Sequence, residues 1–206
     1  MIKGQWLALI LLMVVGMVSF SESTLGIDDY EPPLENGKIG LDLAYDSEQT
    51  GGFALKRAPI KDVQLSAEYS LPSGTAFTFD QVKLGAWFTL AERSWGGLDY
   101  GVKLNYDNTA KTVGLTGTAI LQDKDYNVHG NVSYVADSPL IFSVAGEFVT
   151  EPVHPVGALS ITGTDFNGLL GLRYEPAEGY TFDVGATFPI AGSGSSSQFV
   201  GFMAEF

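Results

Sequence analysis

Hydrophobic and polar residues alternate along most of this chain with a period of two. In residues 97–106, Leu98, Tyr100, Val102, Leu104 and Tyr106 share one parity, and Asp99, Gly101, Lys103 and Asn105 share the other. Successive side chains of a strand point to opposite faces, so this pattern predicts a strand with one apolar and one polar face. The device recurs. Ile39, Leu41, Leu43 and Tyr45 carry it, then Val63, Leu65, Ala67 and Tyr69, then Tyr126, Val128, Gly130, Val132 and Tyr134. Leu140, Phe142, Val144, Gly146 and Phe148 repeat it, followed by Tyr180, Phe182, Val184, Ala186 and Phe188. Val200, Phe202, Ala204 and Phe206 end the chain in the same way. Weaker strands are predicted at 53–58, broken at Pro59, and at 157–163 and 168–174. Residues 74–91 change parity midway and read as one long strand with a bulge near Asp80, since an extra residue inverts the alternation.

Short Gly-, Asp-, Asn- and Pro-containing turns separate these runs, as expected for antiparallel neighbours. The count is about twelve strands with no helix. An even-numbered meander can close on itself and so remove exposed sheet edges. The predicted fold is therefore all-β: a closed, antiparallel, up-and-down barrel.

Alternation does not say which face meets water, but the aromatic residues do. With odd strands running one way, Tyr45, Tyr69, Tyr106, Tyr134 and Phe188 end at one rim. Tyr100, Tyr126, Phe148, Tyr174, Tyr180 and Phe206 gather at the other. Two aromatic belts flanking an apolar band roughly 25 Å tall are the signature of a transmembrane barrel. The polar face is rich in Gly, Ser, Thr and Asn, whereas a water-facing exterior would carry more Lys and Glu. The apolar face is thus expected to meet lipid. A secreted, soluble β-protein is the rival at the level of fold.

Composition narrows the partners. Acidic residues number 24 against 11 basic ones, a formal charge of −13, which argues against nucleic acid and anionic lipid as partners. Only 17% of the 206 residues are charged, and 25 are Gly. No cysteine is present, so disulfides and thiolate metal sites are excluded.

The first residues supply a compartment. A basic start at Lys3 precedes an apolar run over 7–20, with Ser19 and Ser21 as small residues for cleavage. The run is shorter than the roughly 20 residues of a spanning helix, and it reads as a cleaved signal peptide over 1–21, with an uncleaved membrane anchor as the alternative. Residues 22–36 form an acidic, Pro-containing leader, and 37–206 the barrel.

The terminal stretch Gly201-Phe-Met-Ala204-Glu-Phe206 resembles the C-terminal targeting strand of Gram-negative outer-membrane β-barrel proteins. With the signal peptide and the repeated strands, the resemblance is to a small porin-like barrel. It implies an outer-membrane location, contact with outer-membrane lipid, and an assembly signal at Gly201 and Phe206 read by the barrel-assembly machinery. Phe199 departs from the polar residue often found at that point. The long outer loops of receptor and adhesin barrels are missing here.

Candidate chemistry lies on the polar face. Asp42, Glu68, Lys83, Asp99, Lys103, His129, Glu147, Arg173 and Asp183 are predicted to line the lumen, with Lys56 and Glu205 beside them. Charged rings set ion preference in pores, and this acid excess favours cations. The expected function is a narrow, mildly cation-preferring pore for small solutes or ions. Two alternatives stand beside it. One is a structural barrel whose charges pair across a closed lumen. The other is an outer-membrane lipid hydrolase using His129, Ser143 and Glu147, which should lie diagonally near one another. The local motifs of such hydrolases are not visible, and no enzyme activity is the expectation. Trp87, Ile141, Leu169, Phe199 and Met203 also face inward and are expected to pack the interior. His154, flanked by Pro152 and Pro155, reads as a turn residue. No cofactor motif and no metal-ligand spacing is present, and Gly192 to Ser197 lacks the context of a phosphate loop.

Overall fold

The computed structural model describes residues 34–47, 50–72, 81–92 and 97–206. The signal peptide, most of the leader and the 74–80 part of the long strand lie outside the described residues. Twelve strands follow in chain order. They are β1 (Ile39–Asp46), β2 (Thr50–Ile60), β3 (Val63–Pro72), β4 (Val82–Ala91), β5 (Leu98–Asp107), β6 (Thr112–Gln122), β7 (Tyr126–Val135), β8 (Ile141–Phe148), β9 (Val153–Thr162), β10 (Asp165–Ala177), β11 (Tyr180–Ala191) and β12 (Ser197–Glu205). Each pairs antiparallel with its sequence neighbours, and β12 pairs with β1 to close the barrel. At the seam, Gly40 sits opposite Glu205. Ile39 N donates to Phe206 O at 3.0 Å, and Phe206 N donates back to Ile39 O at 2.8 Å. Among the described residues no edge strand remains.

Exposure identifies the two faces. Outward positions such as Leu55 (51%), Leu84 (52%) and Val184 (52%) lie open, while Asp42, Arg173 and Asp183 are buried. The polar parity therefore points into the barrel and the apolar parity out of it, an arrangement suited to a surrounding solvent that is itself apolar. The register also separates the aromatic belts. Tyr45 and Tyr69 lie at the rim opposite the chain's end, whereas Tyr126 faces Phe148, and Tyr174 faces Phe182, at the terminal rim. Tyr69 is the exception among outward rings. It is buried, lies 5.4 Å from the Phe53 ring, and donates its hydroxyl to Gln81 Oε1 at 2.7 Å.

Three strands are longer than the alternation predicts. β2 continues through Pro59 to Ile60, with a register shift against β3 between Arg57 and Ile60. β9 begins at Val153 rather than 157, and β10 extends over 13 residues. Prolines explain the difference in β2 and β9. Pro59 sits in the bulge, and Pro155 lies beyond Val156, the last β9 residue paired with β8. At each place a missing N–H costs little in ladder hydrogen bonds. The turn after β10 is tight: Gly179 takes φ 77°, a left-handed conformation suited to a short hairpin.

Candidate functional site: the charged lumen wall

The register places all nine sequence-predicted lining residues on the inner face, and it sorts most of them into two networks. On the wall of β1 to β5, Lys56 Nζ pairs with the Asp42 carboxylate. Lys103 Nζ donates to Glu68 Oε1 at 3.1 Å, and Ser66 Oγ donates to the same oxygen at 3.1 Å. Lys83 Nζ lies 3.5 Å from Asp107 Oδ2 near the far rim. There Asp107 Oδ1 also accepts the amides of Thr109 and Ala110 at 2.8 and 2.9 Å. Asp99 lies across from Ile120, toward the terminal rim.

The second network runs over five consecutive strands, β7 to β11. Asn127 Nδ2 donates to Glu147 Oε2 at 3.1 Å, and His154 Nδ1 is hydrogen-bonded to Glu147 Oε1 at 2.9 Å. Arg173 Nη1 approaches the same oxygen at 3.7 Å. Arg173 Nε and Nη2 both donate to Asp183, to Oδ1 at 3.0 Å and Oδ2 at 3.2 Å. Glu175 Oε1 reaches to 4.0 Å from His154 Nδ1. Direct register partners build this chain: Asn127 opposes Glu147, and Arg173 opposes both His154 and Asp183.

His154 corrects two sequence expectations. It is a strand residue of β9, buried and facing the lumen, rather than a turn residue. It also brings Glu147 and Glu175 within reach of one potential ligand set, which no local spacing reveals. The two prolines around it hid the alternation.

Between the two networks the wall is uncharged and polar. Thr116 and Ser133 hydroxyls hydrogen-bond across β6 and β7 at 2.9 Å. Further along the same strands, His129 faces Ile120 on one side and Ala145 on the other. Ser143 and Glu147 do lie diagonal to His129, but in opposite directions along β8. Glu147 spends its two oxygens on Asn127 and His154, and His129 Nδ1 is buried without a hydrogen-bond partner. A base needs a third group to orient it toward its nucleophile, and the described geometry does not assemble that triad.

One arc of the interior is apolar. Ala145, Val156, Ala158, Leu169 and Phe199 form a buried cluster on β8, β9, β10 and β12. Leu169 and Phe199 thus pack the wall, as their inward parity predicts.

No family model matches this sequence, and no curated protein matches it. Solved structures do match the fold. A KdgM porin aligns with a TM-score of 0.60 at 10% identity, over 82% of this chain and 99% of that one. The COG4313 outer-membrane channel from Pseudomonas putida F1 aligns with a TM-score of 0.56 at 11% identity, over 90% of this chain and all of that one. A second KdgM porin structure, described as a complex with disordered oligogalacturonate, aligns with a TM-score of 0.57 at 9% identity. The chain has the closed barrel fold of outer-membrane porins and channels.

Proposed function

We propose that this protein is an outer-membrane channel admitting small solutes through a narrow lumen that mildly prefers cations. The observation that carries the reading is the inversion of the two faces: an apolar exterior around a wall of buried charge. Such a barrel is unfit for water outside and suited to water or polar solutes inside. The barrel's likeness to porin and channel structures supports the same class.

Among the described residues, acids outnumber bases on the inner face. Asp42, Glu68, Asp99, Glu147 and Asp183, joined by Asp46, Asp107 and Glu205, stand against Lys56, Lys83, Lys103 and Arg173. A negative surplus attracts cations and repels polyanions. For that reason the oligogalacturonate of the KdgM complex is a poor guide to the solute here. In this account residues 1–21 direct export and are removed, the outer belts sit in lipid, and the assembly machinery reads Gly201 and Phe206.

Liposome swelling tests the proposal. Vesicles containing the refolded barrel should swell in small neutral or cationic solutes faster than in anionic solutes of equal size. Equal impermeability to all of them, with folded barrel in the vesicles, would leave only a structural barrel. The hydrolase alternative has its own check: phospholipid turnover that is lost in His129→Ala would replace the channel reading.

A further inference from the structure

The geometry points to a divalent transition-metal site at the terminal rim, formed by Glu147, His154 and Glu175. The three residues come from consecutive strands, β8, β9 and β10. His154 Nδ1 is 2.9 Å from Glu147 Oε1 and 4.0 Å from Glu175 Oε1, and one donor atom from each residue lies within 4.8 Å of the others. Ligands about 2.0–2.2 Å from a tetrahedral zinc ion are separated by roughly 3.3 Å. Modest side-chain rotation closes the remaining gap. The backbone is already fixed: His154 opposes Arg173, and Glu175 N donates to Pro152 O at 3.1 Å. The Glu175 side chain, 45% exposed, has room to swing toward the ion.

Charge supplies a separate reason. Glu147, Glu175 and Asp183 bring three carboxylates to a network in which, among the described residues, Arg173 is the one permanent cation. Arg173 Nε and Nη2 bind Asp183, and Nη1 forms a longer ion pair with Glu147 at 3.7 Å. Three carboxylates against one guanidinium leave two surplus negative charges, and Glu147 is largely removed from solvent. Buried carboxylates need compensation, and a dication supplies it in full. The orientation of His154 agrees. The ring turns Nδ1 toward these carboxylates and leaves Nε2 buried without a hydrogen-bond partner; the Nδ1 proton, donated to Glu147 Oε1 in the metal-free state, is released to solvent when the ion takes its place. One imidazole and two carboxylates suit zinc, cobalt or nickel better than magnesium. Solvent reaches the site through Glu175, at the end of its strand.

Isothermal titration of the tag-free, detergent-refolded protein with zinc chloride, in metal-free buffer, tests the site. Saturable uptake of one ion per barrel is expected, with magnesium unable to compete. His154→Ala and Glu175→Gln should each weaken uptake by about tenfold or more. Glu175→Gln changes a half-exposed rim side chain, so it keeps the readout available if His154→Ala misfolds. Circular dichroism and heat-modifiable gel mobility report folding. Absence of saturable uptake up to about 1 mM zinc would overturn the assignment. So would uptake that both variants retain, or that magnesium matches, because either outcome describes unspecific carboxylates. Binding is read without any current, so its failure leaves the channel reading standing, and an impermeable barrel leaves the metal site standing.

Discussion

Phe199 occupies the space over Gly185 on the neighbouring strand: a Cβ added to Gly185 would meet the ring Cζ at 2.6 Å. The same atom would lie 2.6 Å from the Leu170 carbonyl oxygen and 2.9 Å from Gly171 Cα. Backbone cannot yield as a side-chain tip can. Gly185→Ala should therefore destabilise the barrel by about 1–3 kcal/mol through overpacking. Gly130→Ala meets nothing within 4 Å on the outer face and should stay within about 0.5 kcal/mol of the parent. Urea unfolding in lipid vesicles, read by tryptophan fluorescence, compares the two.

Arg173 and Asp183 form a two-pronged ion pair inside the wall, with side chains 8% and 6% exposed. Removing one partner leaves the other charge buried. Asp183→Ala should cost about 3–5 kcal/mol, whereas replacing both residues by apolar ones should cost much less. The comparison of single and double variants in the same unfolding assay checks this, and equal losses would contradict it.

Val144, half-open on the outer face of β8, distinguishes lipid from water outside. Val144→Arg should destabilise a membrane-embedded barrel by about 2–4 kcal/mol. On a water-facing surface the same change would stay within about 0.5 kcal/mol. Unfolding titrations of the variant refolded into vesicles separate the two cases.

Trp87 bears on Gly101 as Phe199 bears on Gly185: a Cβ at Gly101 would collide with the indole. Here the obstacle is a side chain, so Gly101→Ala is expected to turn the indole away from the wall into the lumen. Conductance should fall while the barrel still folds. Unchanged conductance in a stably folded variant would show that this ring does not bound the passage.

Alternation made the strands and the facing of residues such as Asp42, Lys103 and Asp183 legible in the sequence, because a period of two is a local property. Pairing is not local. That Lys103 meets Glu68, 35 positions away across β4, or that five strands share one chain of polar contacts, depends on register around a closed sheet. His154 was hidden for another reason. Prolines argue against a central strand, yet Pro155 stands past the end of the β8–β9 ladder, where its missing N–H is harmless. The arrangement around His129 shows the opposite limit of local reading. Ser143 and Glu147 are diagonal to His129, but which partners Glu147 takes, here Asn127 and His154, depends on the neighbouring strands.

Single-channel recording in a planar bilayer reads out both a conducting lumen and its acidic surplus. The refolded protein should give steady unitary steps, and a potassium chloride gradient should give a reversal potential on the cation side. Glu68→Gln together with Glu147→Gln should move that potential toward the anion side. A demonstrably folded, inserted barrel that stays silent would contradict the account.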